Sequence, residues 1–259
     1  MTATDGIVRI AMWSGPRNIS TAMMRAFENR LDTVVWDEPF YVAELAATGR
    51  DHPMRAEVIA AGEADPEKVI ARLLSRIDDP DKPNARVFYQ KHMTHHMLPA
   101  FRRDWIDEVT NAFLIRDPRQ VLASYTRKWS EVSLGDIGFP QQLAIFERVA
   151  DKLGTLPPVV DSNDVLADPR GTLRALCQAC GIEFSDKMLS WPAGSRKSDG
   201  VWAPAWYDRV MKSTGFVAPA DRIPALPVEL QRIADAAQPI YDKLATHRIN
   251  PRPVQRPSA

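Results

Sequence analysis

Apolar runs alternate with amphipathic stretches along most of this chain. Ile7 to Trp13 is a β-rich apolar run, and Ser20 to Asn29 then repeats its apolar residues at helical spacing. Thr33 to Trp36 predicts a second short strand. A helical stretch follows, loose from Tyr41 to Ala61 and firm from Pro66 to Ile77. Arg86 to Gln90, Ala112 to Ile115 and Pro157 to Val160 predict strands three to five. Helices are expected at Pro118 to Trp129, Gln141 to Leu153, Pro169 to Cys180 and Val228 to Ala245. Strands alternating with helices predict one α/β domain over residues 1–249, a central parallel sheet flanked by helices on both faces. Trp191 to Phe216 loosens into Trp-, Pro- and Ser-containing sequence, and the Pro-rich tail Asn250 to Ala259 is expected to be mobile or draped over the surface.

Composition narrows the picture. The chain has 259 residues, and its 33 basic and 33 acidic side chains cancel. No global field therefore draws it to nucleic acid or to an anionic membrane, and any anion must be caught locally. No apolar run reaches the ~20 residues of a membrane span. Met1 to Gly6 carries no signal-peptide pattern, so a cytoplasmic location is expected. Cys177 and Cys180 have C-x-x-C spacing, but they lie in an amphipathic helix closed by Gly181, with no second pair for zinc. They are expected to fill core.

In parallel sheets ligands bind beyond the carboxyl ends of strands, so the loops there carry the candidate chemistry. The first strand ends in Trp13-Ser14-Gly15-Pro16-Arg17-Asn18-Ile19-Ser20-Thr21 and a helix opens. The free N–H groups of a helix start, two hydroxyls and a guanidinium suit phosphate or sulfate oxygens. This is not a Walker A loop, since no lysine precedes Ser20. Two further segments add cations: Arg116-Asp117-Pro118-Arg119, running on to Ser124, and Ser195-Arg196-Lys197-Ser198-Asp199-Gly200-Val201-Trp202. Asp117 and Pro118 fit an N-cap and a first helical residue.

Together these segments resemble the sulfotransferase family, a P-loop-like group. That family carries P-[KR]-x-G-[ST]-T, matched at Pro16 to Thr21, and R-D-P-R-x-x-x-x-S, matched at Arg116 to Ser124. Its late R-K-G-x-x-G-x-W is matched loosely at Arg196 to Trp202, and Asn163 to Pro169 looks like its Y-E-D-L-x-x-D-P stretch. The resemblance implies a donor co-substrate, 3'-phosphoadenosine 5'-phosphosulfate (PAPS), no metal, and a small-molecule hydroxyl or amine acceptor. It implies that Arg17, Ser20 and Thr21, with Asn18, hold the 5'-phosphosulfate. Arg116, Ser124, Arg196 and Lys197, with Ser198, would hold the 3'-phosphate. Trp13 to Arg17 followed by Asp37-Glu38-Pro39-Phe40 is most similar to a bacterial sulfotransferase-like subgroup. A related segment stands beside aminotransferase-like sequences in plants. This chain has Arg17 where animal cytosolic members have lysine, Ile19 and Ser198 where glycine is usual, and Ser162 in place of a tyrosine.

Sulfuryl transfer needs in-line positioning, stabilisation of charge on the moving group and a base for the acceptor. Arg17 is the expected electrostatic stabiliser. Two bases compete: Glu38 after the second strand, and His92, expected to follow the third strand, near the family's K-x-H histidine. Lys91 is the expected counterpart of the lysine at the bridging oxygen. His92, His95 and His96 could share a helix face, but no further ligand motif accompanies them. Trp202, Trp206, Tyr207 and Phe216 either wall the pocket or pack a loop-rich lid. Two other functions stay open: a non-catalytic nucleotide-binding module of the same fold, and a kinase-like phosphotransferase, which would lack the Walker lysine.

Overall fold

The computed structural model describes residues 6–129, 131–218 and 225–249; the tail Asn250 to Ala259 lies outside them. Five parallel strands form one sheet: β1 Val8–Ser14, β2 Thr33–Asp37, β3 Val87–Met93, β4 Thr110–Ile115 and β5 Val159–Asp161. Their spatial order is β2-β3-β1-β4-β5. The helices are α1 Ser20–Glu28, α2 Tyr41–Thr48, α3 Arg55–Ala61, α4 Pro66–Leu74, α5 Pro118–Tyr125, α6 Phe139–Leu153, α7 Ser162–Ala167 and α8 Pro169–Ala179. Two single turns, α9 Ala203–Trp206 and α10 Asp208–Met211, precede the long α11 Val228–Ala245.

The strand period of two sends alternate residues of β1 to opposite cores. Ala11 and Trp13 meet Val69, Ile70 and Leu73 of α4, Ile145, Phe146 and Val149 of α6, and Leu244 of α11. Ile10 and Met12 meet Met23, Met24 and Phe27 of α1 and Leu173, Leu176 and Cys177 of α8. Sheet between two helical layers is the architecture the alternating pattern predicts. Each fully buried side chain of this size contributes about 1.5–3 kcal/mol. Both cysteines are free and buried, and burial pushes the Cys177 thiol up to about 11.

Three Asp-Pro pairs start helices as the local rules demand. Asp65, Asp117 and Asp168 each accept a backbone N–H from the helix they precede, and the proline occupies the first turn. The loose Tyr41 to Ala61 stretch divides into α2 and α3 because Gly49 takes the left-handed conformation (φ 64°) as a C-cap. The third strand runs past Gln90 to Met93, which places Lys91 and His92 inside it rather than after it. The fifth is displaced to Val159–Asp161, and α5 ends at Tyr125.

The chain leaves β1 toward β2 on one side and reaches β4 on the other, so the switch point lies between β1 and β4. The loops after those two strands carry Arg17 and Arg116.

Candidate anion and acceptor site

A cleft of 550 Å³ opens at this switch point. Its floor is the loop between β1 and α1. Arg17 (φ 62°) and Ile19 (φ 57°) are both left-handed, a conformation costing roughly 1–2 kcal/mol at each non-glycine residue. Ile19 is the N-cap of α1 and no side chain caps that helix start, so its first amides are left for a ligand. Asn18 anchors the loop from beneath, its Nδ2 donating to the Leu114 carbonyl at 3.2 Å. Gly15 is obligatory, because a Cβ there would stand 2.4 Å from the Ile137 carbonyl oxygen.

Four arginines line this end: Arg17, Arg116, Arg127 and Arg209. Arg17 donates to Ser124 Oγ at 3.0 Å and to the Trp206 carbonyl at 3.3 Å. Arg116 donates to the Arg17 carbonyl at 2.6 Å and to Gln120 at 3.1 Å. Among the described residues none of the four forms an ion pair with a carboxylate. Burial, then the neighbouring cations, pulls the affinity of Arg17 and Arg116 for their protons down. Asp208 near Arg17, and Asp161 and Asp117 near Arg116, offset this in part without pairing; four guanidinium groups with no carboxylate in ion-pair reach make a site for a multiply charged anion. Arg127 and Arg209 escaped the sequence reading because neither sits in a family motif. The exposed Lys128–Asp208 ion pair, one residue beyond Arg127 and one before Arg209, joins the end of α5 to α10.

Asn18, Ser20, Thr21 and Ser124 also face the cleft; Arg196, Lys197 and Ser198 do not. The late loop lies against the outer side of α1 instead. Asp199 forms a buried ion pair with Arg25 at 2.7 Å, Ser198 Oγ donates to Glu28 at 2.5 Å, and Arg196 approaches Glu28 at 3.9 Å. Lys197, 92% exposed, pairs with Asp81. The two late-loop cations expected at a 3'-phosphate, Arg196 and Lys197, already have carboxylates.

The other end of the cleft is acidic and aromatic. Asp37 closes β2, and Glu38, at φ 44°, turns its carboxylate inward. Lys91 Nζ donates to Asp37 at 2.8 Å, Glu38 at 2.5 Å and the Tyr207 hydroxyl at 2.9 Å. An ammonium has three donors, so Lys91 has none left for a bridging oxygen and instead positions Glu38. Burial disfavours the Lys91 cation, but Asp37 and Glu38 outweigh it and hold its proton more tightly than usual. Burial also pushes the Glu38 carboxyl above the ordinary range, against the pull of Lys91.

His92 points the opposite way from Lys91, as neighbours on a strand must. Its ring stacks on Trp13 at 4.4 Å and lies near Trp105 and Phe40, and burial alone pushes its pKa down to about 3. It is a core residue, out of reach of an acceptor. His95 and His96 line the cleft instead, on the turn after β3. The Nδ1 of each is buried without a partner, and His96 Nδ1 stands 4.0 Å from Glu38 Oε2. His92 lies within the strand and only His95 and His96 within the turn, so the three share no helix face. Trp206, Tyr207 and Phe216 face the cleft, whereas Trp202 is buried, edge-on to Tyr41, and donates to the Tyr207 hydroxyl at 3.0 Å.

Comparison with known proteins bears on the fold and the family. A family profile described as "Sulfotransferase domain" matches residues 8–248. Two Arabidopsis thaliana proteins, called branched-chain-amino-acid aminotransferase-like proteins 1 and 2, are 35% and 34% identical over 238 residues. These matches cover 92% of this chain but only 42% and 41% of those proteins, so the chain spans less than half their length. Among solved structures, a sulfotransferase domain from the curacin biosynthetic pathway aligns at TM-score 0.52 and 17% identity, over 90% of this chain and 98% of that one. A mouse sulfotransferase complexed with PAP aligns at 0.52 and 13%, over 95% and 86%. A sulfotransferase from Alicyclobacillus acidocaldarius aligns at 0.53 and 12%, over 94% and 97%. The residues matched span nearly the whole described fold, and the chain belongs to the sulfotransferase domain family.

Proposed function

We propose that this protein moves a sulfuryl group from PAPS to a small hydroxyl or amine acceptor. The observation that carries the reading is the set of four cleft arginines without carboxylate partners, beside a helix start with open amides. The 5'-phosphosulfate lies on the loop from Arg17 to Thr21, where amides and hydroxyls receive its oxygens. Arg17 stabilises the charge that grows on the leaving phosphate oxygen; a guanidinium holds its proton too tightly to give it up, so this help is electrostatic. Arg116, with Arg127 and Arg209 replacing the late-loop cations, takes the second phosphate. Leu166, Phe216 and Val217 offer an apolar wall for the base.

Across the cleft, Glu38 is the proton acceptor for the incoming nucleophile. Its raised affinity for a proton suits that role, and Lys91 with Tyr207 fixes its orientation. His96 supports a second assignment of the base, since its buried Nδ1 makes no hydrogen bond and it lines the same end. A thermal-shift series tests the donor. Stabilisation by 3',5'-bisphosphoadenosine (PAP) without magnesium, exceeding that by AMP or ATP, is the expected result. Stabilisation by ATP alone, and only with magnesium, would transfer the protein to a phosphotransferase reading.

A further inference from the structure

The two ends of the cleft carry opposite charge. Glu38 lines the acceptor end with Lys91; behind that wall stand Asp37, also paired with Lys91, and Glu44 and Asp136, paired with Arg50. Two cations against four carboxylates leave a surplus of negative charge at this end when Glu38 and Glu44 are both ionised, which burial of the two carboxyls opposes. The histidines there supply no compensation. Burial first, with Arg50 adding to it, lowers the pKa of His52 to about 4 and of His95 to about 3, and places His96 well below its usual value. Aromatic faces complete the wall. Tyr41 stacks on His96 at 4.6 Å, and Trp206 stacks on His52 at 5.4 Å, with Tyr125 tilted against Trp206 at 6.1 Å.

An anionic acceptor would meet repulsion here, and a neutral hydroxyl would gain a hydrogen bond to Glu38 but no attraction between full charges. A cation gains from both the carboxylates and the ring faces. Resting on the sulfuryl-transfer reading above, we infer that the acceptor is a primary or secondary amine, entering as its ammonium ion between Glu38 and the Tyr41 and Trp206 rings. The ammonium first gives one proton to the Glu38 carboxylate, exposing its lone pair. The nitrogen then attacks sulfur; the N–S bond forms as the bond from sulfur to the bridging phosphate oxygen breaks. PAP leaves with that electron pair, and the nitrogen loses a second proton to solvent, giving a sulfamate.

The test is a calorimetric titration of the full chain, with and without saturating PAP, using benzylamine, benzyl alcohol and benzoate as probes of one shape and three charges. The expected order at neutral pH is amine, then alcohol, then benzoate, with about tenfold between amine and alcohol. Glu38→Gln should erase most of that preference while PAP still binds. An amine that binds no better than the alcohol to the unaltered protein overturns the proposal, and needs no variant to do so. Failure of PAP to bind contradicts the sulfuryl-transfer reading instead, and the amine preference is then read on the protein without PAP.

Discussion

The loop after β1 and the late loop around Arg196 both look like anion sites on paper, and only the first faces the cleft. In the first, Arg17 reaches a hydroxyl and a carbonyl but no carboxylate. In the second, every cationic or hydroxyl group of interest already has an acid: Arg196 and Ser198 have Glu28, Lys197 has Asp81, and Asp199 turns back onto buried Arg25. A basic motif binds an external anion when the fold withholds its counter-charge. The late loop has been given its counter-charge, and its work is to fasten the segment carrying Tyr207 to α1.

That contrast can be broken in several places. The largest effect should come from Asp199→Ala, which removes the nearer of the two carboxylates on the buried Arg25 guanidinium and leaves it Glu28 at 3.3 Å; it should cost about 3 kcal/mol of folding stability in urea denaturation, the low end for a broken buried pair. PAP affinity of the folded fraction should stay near normal; a large loss of affinity at unchanged stability would make the late loop a ligand site after all. Next, Arg116→Ala should weaken PAP binding by about 1.5–3 kcal/mol, the scale of a charged hydrogen bond, with AMP nearly indifferent. Equal losses for both nucleotides in calorimetry would remove Arg116 from the second phosphate.

A smaller effect separates the core histidine from the cleft. The folded pKa of His92, about 3, lies below its ordinary 6.5, so the unfolded chain binds the extra proton between those values. Stability from this group is therefore complete above about pH 6.5 and falls with acid by roughly 1.4 kcal/mol per pH unit. His92→Phe should lower the slope there by about that amount, while His52, His95 and His96 keep their own share of it; an unaltered slope would place the charge change elsewhere. Smallest of all, Lys197→Ala and Ser198→Ala should leave the PAP dissociation constant unchanged within error. A clear weakening by either would restore the late loop to the site.

Much of the fold was legible because periodicity and capping agree. The βα alternation gave five parallel strands, and the Asp-Pro pairs marked helix starts that the structure keeps. The first loop and Arg116 were legible because motif and topology coincide at the switch point. The side-chain direction of His92 was not, because it turns on whether β3 stops at Gln90 or continues to Met93, a matter of tertiary pairing with β1. Nor could local sequence reveal that Lys91 would exhaust its donors on Asp37, Glu38 and Tyr207, residues brought together from 54, 53 and 116 positions away. Arg127 and Arg209 stand on segments far apart in sequence that meet through the Lys128–Asp208 pair and the Tyr125–Trp206 ring contact.

The central claim is that bare cleft arginines, not the cations of the late loop, hold the bisphosphate. Parallel calorimetric titrations of Arg209→Ala and Arg196→Ala with PAP test it most directly. About tenfold or greater weakening is expected for Arg209→Ala and none for Arg196→Ala; the reverse ranking would contradict that claim.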